Sequence, residues 1–310
     1  MKVLVTGSSG WIGNSLCEAL RARGHGVVGS SRSNVPQPDV LNIDLLSSQW
    51  NFTLDSINTV IHCAGISLSD AVTNEDAKAQ FWKVNVEAAQ KLARKAKDSG
   101  VTRFVFLSSA KAMGEQTEPN APFSILSDCA PEDLYGESKL AAERAIQQEL
   151  LGSNTELVCI RPPLVYGAGV KANFRALMNI AQRNLPLPLG SVKNKRSFIA
   201  LDNLNDFIAT CVEYPDTLNE IFLISDGIDV STKELLVALT RAYGKNPRLL
   251  PAPVSIMRTC AEILGKKTIA QRLFGNLQLD VKHSINTLAW QPPVSFEDAI
   301  NAAVAYDAPK

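Results

Sequence analysis

No apolar run in this chain reaches the roughly 18 residues that a membrane-spanning helix needs. Histidine is scarce, with three in 310 residues, and none of the six cysteines (Cys17, Cys63, Cys129, Cys159, Cys211 and Cys260) forms a C-x-x-C pair. A metal centre or a disulfide framework is therefore not expected, and free, mostly buried thiols in a reducing cytosol are. Charge of one sign is missing too: 31 Lys and Arg balance 31 Asp and Glu. That leaves no basic surface for nucleic acid and no acidic tail. The opening "MKVLVTGSSGWIG" runs from a short apolar stretch straight into a glycine turn, unlike a signal peptide. The absences together predict a cytoplasmic globular protein whose partners are neither nucleic acid nor membrane.

What is present is an alternation. "KVLVTG", "GVVGSS", "TVIHCAG", "RFVFLSS" and "ELVCIRPP" read as strands. Between them, Ile12, Leu16, Ala19 and Leu20, then Ala89, Leu92, Ala93 and Ala96, recur at helical spacing. Near-continuous apolar strands alternating with amphipathic helices predict an α/β fold, a doubly wound parallel sheet covered on both faces. This dinucleotide-binding (Rossmann) region is expected over residues 1–162. Past Pro162-Pro163 the pattern loosens, with "NLPLPLGSVKNKRSF", "PRLLPAPV" and "LAWQPPVSF" punctuated by proline. Residues 163–310 are read mainly as a smaller C-terminal substrate-binding lobe, with about 197–220 returning to the first region.

"TGSSGWIG" places Gly7, Gly10 and Gly13 between the first strand and the first helix. Glycines in that position allow a sharp turn, close approach of backbone N–H groups to a phosphate, and tight helix–strand contact. The helix start, with Gly10, Trp11, Ile12 and Gly13, would face a dinucleotide pyrophosphate with its positive dipole end. A carboxylate at the end of the second strand would select NAD through the ribose. Here that end reads "SSRS", and Arg32 could pair with a 2′-phosphate. The cofactor reading is NADP or NAD, leaning to NADP. Asp44 and Leu45 in "NIDL" are assigned to the adenine edge. Ala64 and Gly65 in "HCAG" are expected beneath the cofactor, with His62 a packed strand residue.

"APEDLYGESKLAAER" sets Tyr135 and Lys139 one helical turn apart. Ser108-Ser109 end a strand upstream, and Asn85 lies in the helix before that strand. With the glycine turn, these resemble the short-chain dehydrogenase/reductase superfamily, and within it the extended branch of nucleotide-sugar epimerases, dehydratases and reductases. The matching stretches are "TGSSGWIG", "HCAG", "VNVEAA", "LSSAKAMGE", "YGESKLAAE" and "RPPLVYGAGVKANF". The resemblance implies a catalytic set of Ser109, Tyr135 and Lys139, with Asn85, Tyr135 and Lys139 also against the cofactor. The chemistry fits the spacing. A phenol of pKa about 10 is a poor base near neutrality. A nearby ammonium favours the phenolate, and Ser109 would hold the substrate oxygen beside it. Ser108 competes for that last role; counting back from Gly114 favours Ser109. Dehydratases of this type carry an Asp-Glu pair after the serine or threonine. Here Ala110, Lys111, Ala112 and Met113 follow, so loss of water is disfavoured.

"PLPLGSVKNKRSFIALDNLNDFI" resembles the subgroup that acts on UDP-linked amino sugars. This implies a UDP-sugar partner, Arg196 on its pyrophosphate, Asn173 on phosphate or sugar, and Leu189 with Leu187 and Pro188 against the uracil. The activity expected is NAD(P)-dependent oxidoreduction at C4 of a UDP-hexose or UDP-N-acetylhexosamine, as 4-epimerase or 4-keto reductase in surface-polysaccharide synthesis. The alternatives are a reductase of a non-nucleotide carbonyl compound and a non-catalytic cofactor-sensing protein. The resemblance leaves room for a homodimer.

Overall fold

Strands rich in Val, Ile and Leu need burial on both faces, and helices must cross between them if they run parallel. The computed structural model, which describes residues 1–31, 39–47, 50–67 and 76–307, has this plan. The chain begins β1 (Lys2–Thr6), α1 (Trp11–Ala22), β2 (Gly26–Ser31), β3 (Val40–Asn42) and β4 (Thr59–His62). Next, α2 (Ala77–Phe81) runs through a π-helical turn at Trp82–Glu87 into α3 (Ala88–Asp98). Then come β5 (Arg103–Leu107), α4 (Leu134–Leu150) and β6 (Glu156–Arg161). The chain leaves this body through β7 (Leu164–Tyr166), α5 (Ala172–Arg183) and β8 (Arg196–Ala200). It returns with α6 (Leu201–Glu213) and β9 (Glu220–Leu223). The remainder is β10 (Asp229–Val230), α7 (Thr232–Ala242), α8 (Val254–Ile263), α9 (Lys267–Phe274), α10 (Lys282–Leu288) and α11 (Phe296–Asp307).

The main sheet has seven parallel strands in the order β3-β2-β1-β4-β5-β6-β9. Its register is level across the middle: Thr6 lies opposite His62, His62 opposite Phe106, and Phe106 opposite Cys159. The residues that follow β1, β4 and β5 therefore emerge together at one edge. The order reverses between β1 and β4, and a doubly wound sheet binds its ligand outside the carboxyl ends at such a switch point.

Helices α1 and α6 cover one face, burying Leu16, Leu20, Phe207 and Ile208 against Val5, Val105 and Val158. Helices α3 and α4 cover the other with Ala89, Leu92, Ala93, Ala96 and Ile146. The run of small residues on α3 lets that helix lie close to the sheet; a larger side chain at Ala93, fully buried, would cost about 1–3 kcal/mol in overpacking. Arg103 pins the bottom of the sheet. Its guanidinium donates to Glu156 Oε2 at 2.7 Å and to the carbonyl oxygens of Tyr214 (3.0 Å) and Asp216 (2.9 Å) just past α6.

A second sheet of three strands, β10-β8-β7, anchors the lobe. Tyr166, Phe174, Phe198, Leu236 and Ile300 form its core. The sequence reading has about 197–220 returning to the main body. In the structure α6 lies on α1, with Asn205 Nδ2 donating to Ser15 Oγ at 2.8 Å, and β9 pairs with β6.

Candidate active site

The turn after β1 is held by contacts that only glycine permits. Gly7 has φ +73°, and a Cβ there would stand 2.8 Å from the Ala64 backbone. A Cβ on Gly13 would stand 2.2 Å from the Gly7 carbonyl oxygen, inside any tolerable contact. The turn is tied to the neighbouring strand by Gly7 N donating to Ser30 Oγ (3.3 Å) and Ser8 Oγ donating to the Ser30 carbonyl (2.8 Å). Gly10 caps α1 without a side-chain hydrogen bond, and the first turn holds no acidic residue. The N–H groups of Trp11, Ile12 and Gly13 thus begin a helix of twelve residues with no anionic side chain at its positive end. These features fit a dinucleotide pyrophosphate. Trp11 spends its indole on the lobe, donating to the Ala168 carbonyl at 2.7 Å.

Leu45, assigned from the sequence to the adenine edge, packs on the α3 side of the core. Asp44 is exposed; its side chain accepts from Leu46 N at 3.0 Å and its carbonyl from Trp50 Nε1 at 2.9 Å. Arg32 lies outside the described residues. The described end of β2, Ser30 and Ser31, carries no carboxylate.

Below the switch point, the "HCAG" stretch is locked by Asn85. Its Oδ1 accepts from Ile66 N (2.9 Å), and its Nδ2 donates to the Ile66 carbonyl (3.1 Å) and to Ser138 Oγ (2.9 Å). Ser138 Oγ in turn donates to the Tyr135 carbonyl at 2.8 Å. Asn85 can reach across because it sits in the π-helical turn, where the backbone widens; such turns occur mostly as isolated features at functional sites. His62 is fully buried, shares a 2.6 Å hydrogen bond with Thr6 Oγ1, and lies 5.8 Å from the Phe106 ring in a stacked pose. Burial pulls its pKa down to about 3, so it stays neutral.

Tyr135 and Lys139 occupy the first turns of α4. Asp133 caps that helix, its Oδ1 accepting from Gly136 N at 2.7 Å. Gly136 lets the helix start press onto the loop after Ser109: a Cβ there would stand 2.4 Å from the Lys111 carbonyl oxygen. Lys111 then joins both pieces by ion pairs to Glu115 and Asp133, which ties up the nearest carboxylates. Tyr135 is half-buried, its ring 6.4 Å from that of Phe81. Lys139 is 5% exposed and donates from Nζ to the Leu107 carbonyl at 2.8 Å, with Nζ 5.9 Å from the Tyr135 ring centroid. Burial lowers its pKa to about 8, which leaves it mostly an ammonium at neutrality. A Cβ on Gly65 would stand 3.0 Å from Asn85 Oδ1 and 3.5 Å from Lys139 Nζ. Gly65, Asn85 and Lys139 therefore lie against one another.

The two adjacent serines have different surroundings. Ser108 is 3% exposed and donates to Glu143. Glu143 is held by Arg161, whose Nε and NH2 groups donate to its two carboxylate oxygens at 3.0 and 2.6 Å. Ser109 is half-buried, and its Oγ accepts from Lys111 N at 3.2 Å. Ser108 is thus committed to a buried ion pair, and Ser109 is the partly exposed one of the two. The Glu143–Arg161 pair was not singled out from the sequence. Its signal was available: Tyr135, Lys139 and Glu143 repeat every four residues along one helix face.

The lobe residues are spread. Arg196 on β8 is half-buried and donates to the Gly275 carbonyl at 3.1 Å. Burial lowers its pKa to about 10; Glu115 opposes that change, and Arg272 adds to it. Arg272, which the sequence reading passed over, therefore enlarges the positive charge there. The loop after Ser109 reaches the same place, since Thr117 bridges to Asn276 and Leu277 bridges to Arg196. Asn173 is exposed in the first turn of α5, and Leu189 is buried in the lobe core. Among the described residues, no group of three or more His, Cys, Asp or Glu is placed to hold a metal.

A family model described as the NAD dependent epimerase/dehydratase family matches residues 3–225. The chain is 39% identical over 306 residues to a UDP-glucose 4-epimerase of Vibrio cholerae, covering 96% of this chain and 92% of that one. Two solved structures share the fold. The UDP-glucuronic acid 4-epimerase of Bacillus cereus, in complex with NAD, gives a TM-score of 0.79 at 21% identity, covering 99% of this chain and 98% of that one. The UDP-N-acetylglucosamine 4-epimerase of Bacillus cereus gives 0.78 at 17% identity, covering 99% and 100%.

Proposed function

The chain belongs to the NAD dependent epimerase/dehydratase family, and we propose that within it the protein catalyses oxidoreduction at C4 of a UDP-hexose or UDP-N-acetylhexosamine, as a nucleotide-sugar 4-epimerase of surface-polysaccharide synthesis. What supports this reading is that Lys139 Nζ donates to the Leu107 carbonyl at the end of β5, two residues before Ser109, and lies 5.9 Å from the Tyr135 ring centroid, at the carboxyl edge where the glycine turn also emerges. A bound nicotinamide supplies the hydride acceptor and, on return, the hydride donor. Gly7, Gly10, Trp11, Ile12 and Gly13 would hold its pyrophosphate through backbone N–H groups, and Asn85, Gly65 and Lys139 would line the nicotinamide end.

The protein's part is to move one proton and fix one oxygen. Ser109 donates to the sugar O4. Tyr135 takes the O4 proton as the C4 hydride leaves, giving a 4-keto sugar, and returns it when hydride comes back to the opposite face. Lys139 keeps a positive charge one turn away, which favours the phenolate. Arg196, with Arg272 adding charge, holds the UDP pyrophosphate, so the sugar can turn over while the nucleotide stays anchored.

The test is incubation with UDP-glucose and UDP-N-acetylglucosamine in the presence of substoichiometric NAD, followed by separation of the C4 epimers. Conversion to an equilibrium mixture with no net nicotinamide consumed is the expected result; no epimer from either sugar would overturn the proposal. The absence of a carboxylate on Ser30 and Ser31 favours a second reading. In that reading, Arg32 receives a 2′-phosphate and the enzyme reduces a 4-keto UDP-sugar, consuming NADPH in stoichiometric amount. Measured NADP(H) and NAD(H) affinities decide between them, with tighter NAD(H) binding favouring the epimerase.

A further inference from the structure

Helix α8 buries none of its residues fully, although it is among the more apolar helices of the chain. One side of it is spoken for: Val254 and Met257 pack against the lobe core. The other side carries Ile256 and Ile263 at 59% and 78% exposure, and Leu264 beyond the helix end at 70%. The spacing i, i+7, i+8 keeps these on one face. Ile269 on α9 adds a further 50% exposed side chain. The turn between the two helices thus projects an apolar tip, and Lys266 and Lys267 follow it directly, both exposed.

The charge along the segment that carries this tip is one-sided. From residue 241 to 275 there are seven Lys or Arg and one carboxylate, Glu262, in a chain whose total charge is zero. No helix among the described residues is long and apolar enough to cross a membrane. Exposed apolar side chains rimmed by basic ones, on a helix that lies at a surface, match instead the physics of shallow interfacial insertion.

We propose that the α8–α9 hairpin docks this protein onto an anionic lipid bilayer, with Ile256, Ile263 and Leu264 entering the headgroup boundary and Lys266 and Lys267 meeting lipid phosphates. A second copy is the poorer occupant. A two-fold contact sets the same patch against itself, and would bring Lys266 and Lys267 against like charges with Glu262 as the one carboxylate in the segment. Nucleic acid would use the cations but gives no reason for three exposed aliphatic side chains at the centre. The docking is peripheral and independent of which C4 reaction the enzyme runs.

The experiment is co-sedimentation of the full chain with vesicles of pure phosphatidylcholine and of equal parts phosphatidylcholine and phosphatidylglycerol, at low and high salt. Binding to the anionic vesicles alone, weakened by salt, is expected. Lys266→Glu with Lys267→Glu should lower the partition coefficient by roughly fivefold or more per residue. Ile263→Asp with Leu264→Asp should abolish binding while thermal unfolding stays at the wild-type temperature, since both side chains are exposed. Wild type that ignores anionic vesicles overturns the proposal. So does an Ile263→Asp/Leu264→Asp variant that binds as well as wild type, which would mean a purely electrostatic contact. Sedimentation velocity supplies the last arm: a dimer lost in that variant, with no vesicle binding by wild type, assigns the face to a second copy instead.

Discussion

Replacing Lys139 with Met should stabilise the cofactor-free protein while removing its activity. Lys139 is 5% exposed; its ammonium donates to the Leu107 carbonyl at 2.8 Å and lies over the Phe106 ring, 4.9 Å from its centroid. Burial takes its pKa from 10.5 to about 8. At about 1.4 kcal/mol per pH unit, that gap is a destabilisation of at most about 3.5 kcal/mol. Methionine fills nearly the same volume, so packing changes little. The Leu107 carbonyl loses its donor, which costs about 1 kcal/mol. The net expectation is a gain of roughly 1–2 kcal/mol, seen as a rise of roughly 2–6 °C in melting temperature. The gain has a pH signature. Below pH 8 both the folded and unfolded chains hold the proton, and the variant's advantage is complete. Between about 8 and 10.5 the folded wild type sheds it first, so wild-type stability rises with pH and the advantage shrinks. The assay is thermal unfolding of both proteins, stripped of cofactor, across that range. A variant that melts at or below the wild-type temperature at neutral pH would refute the claim that this lysine is held at a cost.

Three further outcomes are expected. Arg161→Met should destabilise by about 3–5 kcal/mol, because it leaves the Glu143 carboxylate buried without its partner. Adding Glu143→Gln should recover part of that, as chemical denaturation would read. His62 should make the protein acid-sensitive: the unfolded chain takes up a proton near 6.5 and the folded one only near 3. Stability therefore falls as pH drops through that window, by at most about 5 kcal/mol, and His62→Gln should flatten the loss. Arg196→Ala should weaken UDP binding by roughly 1.5–3 kcal/mol with nicotinamide-cofactor affinity unchanged, as calorimetric titration with each ligand would show.

The features readable from the sequence are those set by local chemistry. Strands such as "RFVFL" announce themselves because every residue is buried. Gly7 and Gly13 could be placed because the turn admits no side chain. Tyr135 and Lys139 stand one helical turn apart whatever surrounds them. Features that arise from contact between distant segments were not readable. The π-helical turn that aims Asn85 at Ile66 and Ser138 has no pattern of its own in "WKVNVE". The contrast between Ser108 and Ser109 depends on Glu143 and Arg161, which lie 35 and more residues further along the chain. Arg272 joins Arg196 only because the Gly275–Leu277 segment runs beside β8.

The proposed C4 chemistry turns on Tyr135 as the group that moves the proton. The most direct measurement is turnover of the UDP-sugar substrate by Tyr135→Phe, alongside nicotinamide-cofactor affinity of the same preparation. Turnover is expected to fall by about 10²–10⁴-fold with cofactor affinity nearly unchanged. A variant that turns over substrate within a few-fold of wild type would contradict it.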